Sequence, residues 1–242
     1  MTQSPGWERF KAYFFDWQLY RESLPEIADA FLINVKIFLI AEAFILVLAL
    51  LLAVLRSLPG PVFFPIRAFA IVYTDFFRGV PTILVILMLG VGMPALQLER
   101  VPDSEIFWAI VSLVLVYTAY VSEVYRAGIE SVHPSQDAAA RSLGLSRLRS
   151  LRYVVLPQAV RRVIPPLLND FIGLQKDTAL VSVLGVVEVL NQSSIIEAAT
   201  FNGTPYLVAA TLFVLITIPL ARFTDWLIAR DRKRRQAAGV AA

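Results

Sequence analysis

Asn169, Asp170, Gln175, Lys176 and Asp177 crowd the start of an apolar run, 166–190, and Glu188 stands near its end. Carboxylates, an ammonium and amides in such a setting can bind a charged or zwitterionic solute, because they offer the ionic and hydrogen-bonding partners that lipid lacks. A charge near a bilayer centre costs about 2.5–3.5 kcal/mol on insertion scales, so these groups are expected to face protein or a water-filled path. A structural Lys176–Asp177 pair, or charges close to the membrane interface, would explain the same residues without a path. Glu123 and Arg126 at the end of the run 106–124, and Lys36 and Glu42 in the run 31–55, are weaker instances. Lys36 and Arg126 can also snorkel to head groups.

Most other chemistry is missing. There is no Gly-x-x-x-x-Gly-Lys-Ser/Thr stretch to cradle a nucleotide phosphate, no His-Glu-x-x-His and no Gly-x-Ser-x-Gly. Cysteine is absent, which removes disulfide, thiolate and Cys-based metal chemistry. The one histidine, His133, precedes Pro134 in a loop and cannot build a metal site alone. No catalytic set, metal or cofactor is therefore expected in this chain, and the chain is not expected to be an enzyme.

The elements that must position these residues are membrane helices. At 57% hydrophobic the chain exceeds the 45–50% usual for soluble domains. A spanning helix needs about 20 mainly apolar residues, since every backbone polar group must be satisfied internally in lipid. Five stretches qualify, at about 31–55, 80–97, 106–124, 166–190 and 205–228. The net charge of +3 sits in flanks of apolar spans rather than on a soluble face, so it signals topology and not a nucleic-acid partner. Arg126, Arg141, Arg147, Arg149, Arg152, Arg161 and Arg162 fall between spans three and four, and Arg230, Arg232, Lys233, Arg234 and Arg235 follow span five. Both segments are expected to be cytoplasmic. The loops at 97–105, where Arg100 faces three acids, and 191–205, with no basic residue, are expected outside. The N-terminus then lies outside as well, with 1–30 as an interfacial segment, 31–228 as the membrane domain and 229–242 as a basic cytoplasmic tail. The expected class is an all-α integral membrane protein of about five transmembrane helices, with a large cytoplasmic loop at about 126–165.

That loop contains AAARSLGLSRLRSLRYVVLP, residues 138–157. Ser135 can cap a helix with Asp137 in its first turn and Ala138, Ala139 and Ala140 after it, and Gly144 can end it as a left-handed cap. Ser146 can cap a second helix that Pro157 is expected to stop near Leu156. A helix this short is marginal alone and must pack on something. A protein partner and a surface of anionic lipid both fit the alanines and arginines.

The loop resembles the cytoplasmic signature of ABC-importer permeases: Glu-Ala-Ala, three residues, Gly, nine residues, an aliphatic, any residue, Leu-Pro. Gly144, Val154, Leu156 and Pro157 hold the matching positions with the spacing intact. The stretches YTDFFRGVPTIL (73–84), AYVSEVYRAGIESV (119–132) and NDFIGLQKDTALVSVLGVVEVL (169–190) are similar to the polar amino-acid branch, so the likeness covers roughly residues 30–230. The resemblance implies a coupling helix that docks on a separate ATPase, with Asp137, Ala138, Ala139, Ala140, Arg141, Gly144, Leu145, Leu156 and Pro157 as the coupling element. It implies a path for a polar amino acid, of the glutamate/glutamine or basic class, lined by Asn169, Asp170, Gln175, Lys176, Asp177, Glu188 and Glu123. The implied partners are two ATPase subunits that bind ATP and Mg, a second permease chain, identical or a sister, and an extracytoplasmic amino-acid-binding protein. The implied location is the cell membrane of a prokaryote. One departure stands out: the family's glutamate position is Ala138, and the nearest acid is Asp137. Asp137 or a sister subunit is expected to compensate. An ion-coupled carrier driven through the span-four charges and a non-transporting scaffold are the alternatives. Five spans exclude an inverted repeat of equal halves within one chain.

Overall fold

The computed structural model describes residues 5–99 and 101–237; Arg100 and the last five residues of the expected tail, with residues 1–4, lie outside the described residues. Every element is helical among the described residues: α1 (Pro5–Phe14), α2 (Trp17–Arg56), α3 (Phe64–Gly79), α4 (Thr82–Ala95), α5 (Glu105–Glu130), α6 (Pro134–Ser142), α7 (Arg147–Ser150), a π-helical stretch (Leu151–Val155), α8 (Leu156–Asp177), a 3-10 stretch (Thr178–Leu184), α9 (Val189–Thr200) and α10 (Thr204–Ala237). Three helices are long and apolar enough to cross a membrane, or five if the pairs 64–79 with 82–95 and 147–184 with 189–200 each count as one broken span. Their outward residues are apolar, such as Phe44, Val47 and Leu51 on α2 and Val214, Leu215 and Ile218 on α10, as lipid requires. α2 has 40 residues, about 60 Å at 1.5 Å per residue, twice the ~30 Å hydrocarbon core. It thus contains the expected span 31–55 and runs on through much of the segment expected to lie outside.

The fold divides into two compact units, one of residues 1–41, 82–113 and 174–219 and one of residues 42–81, 114–173 and 220–242. In the first unit Ile27, Phe31, Val189, Val208 and Ala209 form a buried cluster, flanked by Tyr20, Val35, Ile196, Leu212 and Phe213. α1 is tied to the connection between α9 and α10. The Gly203 amide donates to the Tyr13 carbonyl at 2.8 Å, and the Tyr13 hydroxyl donates to Glu197 Oε1 at 2.8 Å. A Cβ on Gly203 would lie 2.5 Å from the Tyr13 ring, so only glycine permits this approach.

Two breaks in the apolar runs follow from local chemistry. α3 stops at Gly79, Val80 is extended, and α4 starts after Pro81, which cannot donate a helical hydrogen bond. The expected span 166–190 is not one helix either. The 3-10 stretch ends at Gly185, left-handed at φ 85°, and the chain then extends to Glu188 before α9 begins. In the second unit α5 meets α8 at Gly128, where an added Cβ would lie 2.0 Å from Val163 Cγ2. The Tyr73 hydroxyl reaches the Leu115 carbonyl at 2.8 Å, fixing α3 on α5.

Candidate functional site

The loop between α5 and α8 is a folded unit with two short helices. Its first helix is capped by His133, whose ring nitrogen accepts from the Ser135 amide at 3.2 Å, with Pro134 at the first helical position. The expected cap, Ser135, instead lies inside the first turn. Gly144 has φ 87°, Leu145 N–H donates to the Ala140 carbonyl, and Gly144 N–H donates to that of Arg141. That pair of bonds is the Schellman arrangement, in which a left-handed residue satisfies the last carbonyls of a helix. An added Cβ at Gly144 would meet nothing within 4 Å, so glycine is needed there for its backbone and not for space.

Pro157 does not stop the helix, contrary to expectation. The five residues before α8 are π-wound, with Leu156 N–H donating to the Leu151 carbonyl, and the chain stays helical from Arg147 to Leu184. The wider turn accommodates a residue whose ring would clash with an ordinary turn and whose nitrogen carries no hydrogen. The Gln158 side chain donates to the Val154 carbonyl at 3.0 Å. The loop is therefore welded to α8 through continuous helix.

Within α6 the faces are distinct. Ala140 is buried and Asp137 half-buried, whereas Ala138, Ala139, Arg141 and Ser142 are exposed. Asp137 Oδ1 accepts from the Ser150 hydroxyl at 2.6 Å, and Ser150 is fully buried. Ala138, Arg141, Ser142, Gly144, Leu145 and Arg147 line an open groove on the exposed side. Leu143 and Leu148 project beside it, 85% and 73% exposed. Leu156 and Pro157 are exposed at the start of α8.

The second unit also holds a cavity of about 850 Å³ between α3, α5, α8 and α10. Its polar lining is Arg78, Tyr120, Glu123, Arg161, Arg162 and Asp170, and its apolar lining includes Val124, Pro165, Pro166 and Ile228. Glu123 is gripped by Arg56 and by Arg126, the latter at 2.7 Å, and lies 3.9 Å from Arg78. Arg126 also pairs with Glu130, so three guanidiniums face two carboxylates where α2, α3 and α5 end. Arg162 donates to the Ser131 carbonyl. Asp170 Oδ2 is buried with no hydrogen-bond partner among the described residues.

Of the seven residues expected to line a path, only Glu123 and Asp170 come together here. Asn169 and Lys176 are exposed on α8, and Asp177 is half-buried with a partner of its own. Gln175 is 6% exposed and accepts from the Thr217 hydroxyl at 3.1 Å. Glu188 is wholly buried in the first unit as the N-cap of α9, accepting from Leu190 N–H, Asn191 N–H and, at 2.7 Å, the Asn34 amide. Asn34 in turn donates to Thr178 and accepts from Val189 N–H. Sequence reasoning missed the arginines of the cavity. Arg161-Arg162 ahead of Pro165-Pro166 was the available signal; in the structure Arg161 is exposed and Arg162 half-buried at the cavity wall.

Residues 46–233 match the family described as binding-protein-dependent transport system inner membrane component. The chain is 32% identical over 204 residues to the probable amino-acid permease protein YxeN of Bacillus subtilis, covering 84% of this chain and 90% of that one. It is 33% identical over 225 residues to the glutamate/aspartate import permease protein GltK of Escherichia coli O6:H1, covering 88% and 99%. Among solved structures, the crystal structure of an amino acid ABC transporter with histidines superposes with a TM-score of 0.80 at 28% identity, over 89% of this chain and 98% of that one.

Proposed function

We propose, for a chain that belongs to the family of binding-protein-dependent transport inner membrane components and is thus a permease subunit of an ABC importer, that its cargo is a polar amino acid. The relatives named for amino-acid or glutamate/aspartate transport support that cargo. ATP hydrolysis belongs to a separate subunit, and the chain itself is the transport component. Segment 134–157 is the element on which that ATPase acts, with ATP and Mg held by the ATPase and a binding protein delivering cargo from outside. A second permease chain completes the path.

The observation that carries this reading is the continuity of docking element and cavity. The exposed surface of α6 leads through Gly144 and α7 into one uninterrupted helix, and that helix carries Arg161, Arg162 and Asp170 to the cavity wall. A displacement applied at α6 is passed along a rigid element to residues that face the cavity, which is how a small shift at one site becomes a change of access at another. Glu123 and Asp170 are the path residues favoured by this geometry. Gln175 and Glu188 serve by shaping the broken helix around them. The loop and the C-terminal tail lie in the cytoplasm and the N-terminus outside, as the arginine distribution supports.

The test is a mild-detergent pull-down of the tagged chain from native membranes beside Gly144→Arg. An ATPase subunit is expected to co-purify with the native chain and to be lost with the variant, because arginine at φ 87° breaks the turn that presents α6. Absence of an ATPase from both samples would overturn the reading.

A further inference from the structure

The docking helix and the continuous helix that begins at Arg147 are joined through four residues outside any helix, Leu143, the left-handed Gly144, Leu145 and Ser146. Such a joint swivels unless something spans it. One side-chain bond does: Asp137, in the first turn of α6, accepts from the hydroxyl of Ser150, the last residue of α7 and the one that leads into the π-wound start of α8. At 2.6 Å it has the length of a charge-assisted O–H···O bond. Ser150 has no exposed surface, so its hydroxyl has no water to fall back on.

We infer that Asp137 and Ser150 form a cross-brace that fixes the angle of the docking helix on α8, making Asp137 a positioning residue rather than a contact of the ATPase. The faces of α6 support this. Asp137 and Ala140 lie three residues apart on one side of the helix, and α6 packs by that side on α7 and the π-wound stretch. Ala138, Arg141 and Ser142 are exposed and line the open groove, which Asp137 does not. The carboxylate is thus turned away from the surface a partner would meet. It does not replace a glutamate at position 138, whose Cα belongs to the outward face. The brace itself is a property of the chain; its consequence for transport rests on reading 134–157 as the coupling element.

The chain has no cysteine, so spin labels can be placed through Ser142→Cys and Tyr153→Cys, both exposed positions on either side of the joint. The distance distribution between them, measured on the full chain in detergent, is expected to be narrow in the parent and with Asp137→Asn, which keeps an acceptor oxygen. It is expected to broaden with Asp137→Ala and with Ser150→Ala, the double variant being no broader than either. In the reconstituted complex, without labels, each alanine variant is expected to lower uptake per ATP hydrolysed by about fivefold, the scale of one lost hydrogen bond, with no added loss in the double variant. The ATPase is expected to co-purify with all of them. An unchanged distribution in both alanine variants would overturn the brace. Loss of the ATPase with Asp137→Ala but not with Ser150→Ala would overturn the positioning role and make Asp137 a direct contact. Uptake that needs no ATP would overturn the importer reading while the distance measurement still decides the brace.

Discussion

At the scale of single residues, the buried polar set around Glu188 shows what an acidic residue in an apolar run can be for. Its carboxylate accepts three N–H bonds and caps a helix that restarts inside the fold. Asn34 is the other half of the arrangement, and replacing it by leucine leaves both the Glu188 oxygen and the Val189 N–H without partners. Each orphaned buried group costs about 1–3 kcal/mol, so Asn34→Leu is expected to lower the thermal midpoint of the detergent-solubilised chain clearly. An unchanged midpoint would show that water reaches the set. The sequence marked Glu188 as unusual but could not tell a cap from a path residue, because its partner lies 154 positions away in Asn34. Asp170 was legible as a candidate only as a carboxylate at the start of an apolar run; the structure adds that it lies beside a cavity and that its Oδ2 has no partner among the described residues.

At the scale of elements, apolar length located the starts of α5 and α10 though both run past their expected ends, the cap of α6 is His133 and not Ser135, and Gly144 holds the left-handed turn its position suggested. Proline was the misleading residue. Pro157 was expected to end a helix, yet a π turn before it carries the helix through, and no local rule distinguishes the two outcomes when tertiary packing favours continuity. The crossing of α5 and α8 was not legible, since it depends on one hydrogen at Gly128 facing Val163. That contact gives a graded prediction. Gly128→Ala requires a local shift of Val163, and Gly128→Leu forces the helices apart, with overpacking costs of about 1–3 kcal/mol. Folded yield and thermal midpoint are expected to fall in the order glycine, alanine, leucine. Leucine at parental stability would mean that the two helices do not hold this contact in the membrane.

For the molecule as a whole, composition led to a multi-pass membrane protein, and the resemblance carried by residues 138–157 implied a separate ATPase subunit. The chain belongs to a family of transport-system inner membrane components, and its long apolar helices fit a membrane-spanning subunit. The proposed cargo, a polar amino acid, is what an uptake measurement reads directly. The most direct measurement is therefore uptake of a panel of radiolabelled amino acids, acidic, amide and basic, into proteoliposomes. These would hold the chain with its co-purified partners, supplied with binding protein, with and without ATP at the ATPase face. Uptake of at least one polar amino acid is expected to require ATP and to be abolished by Gly144→Arg. Uptake that proceeds without ATP and follows an imposed ion gradient would contradict the importer reading.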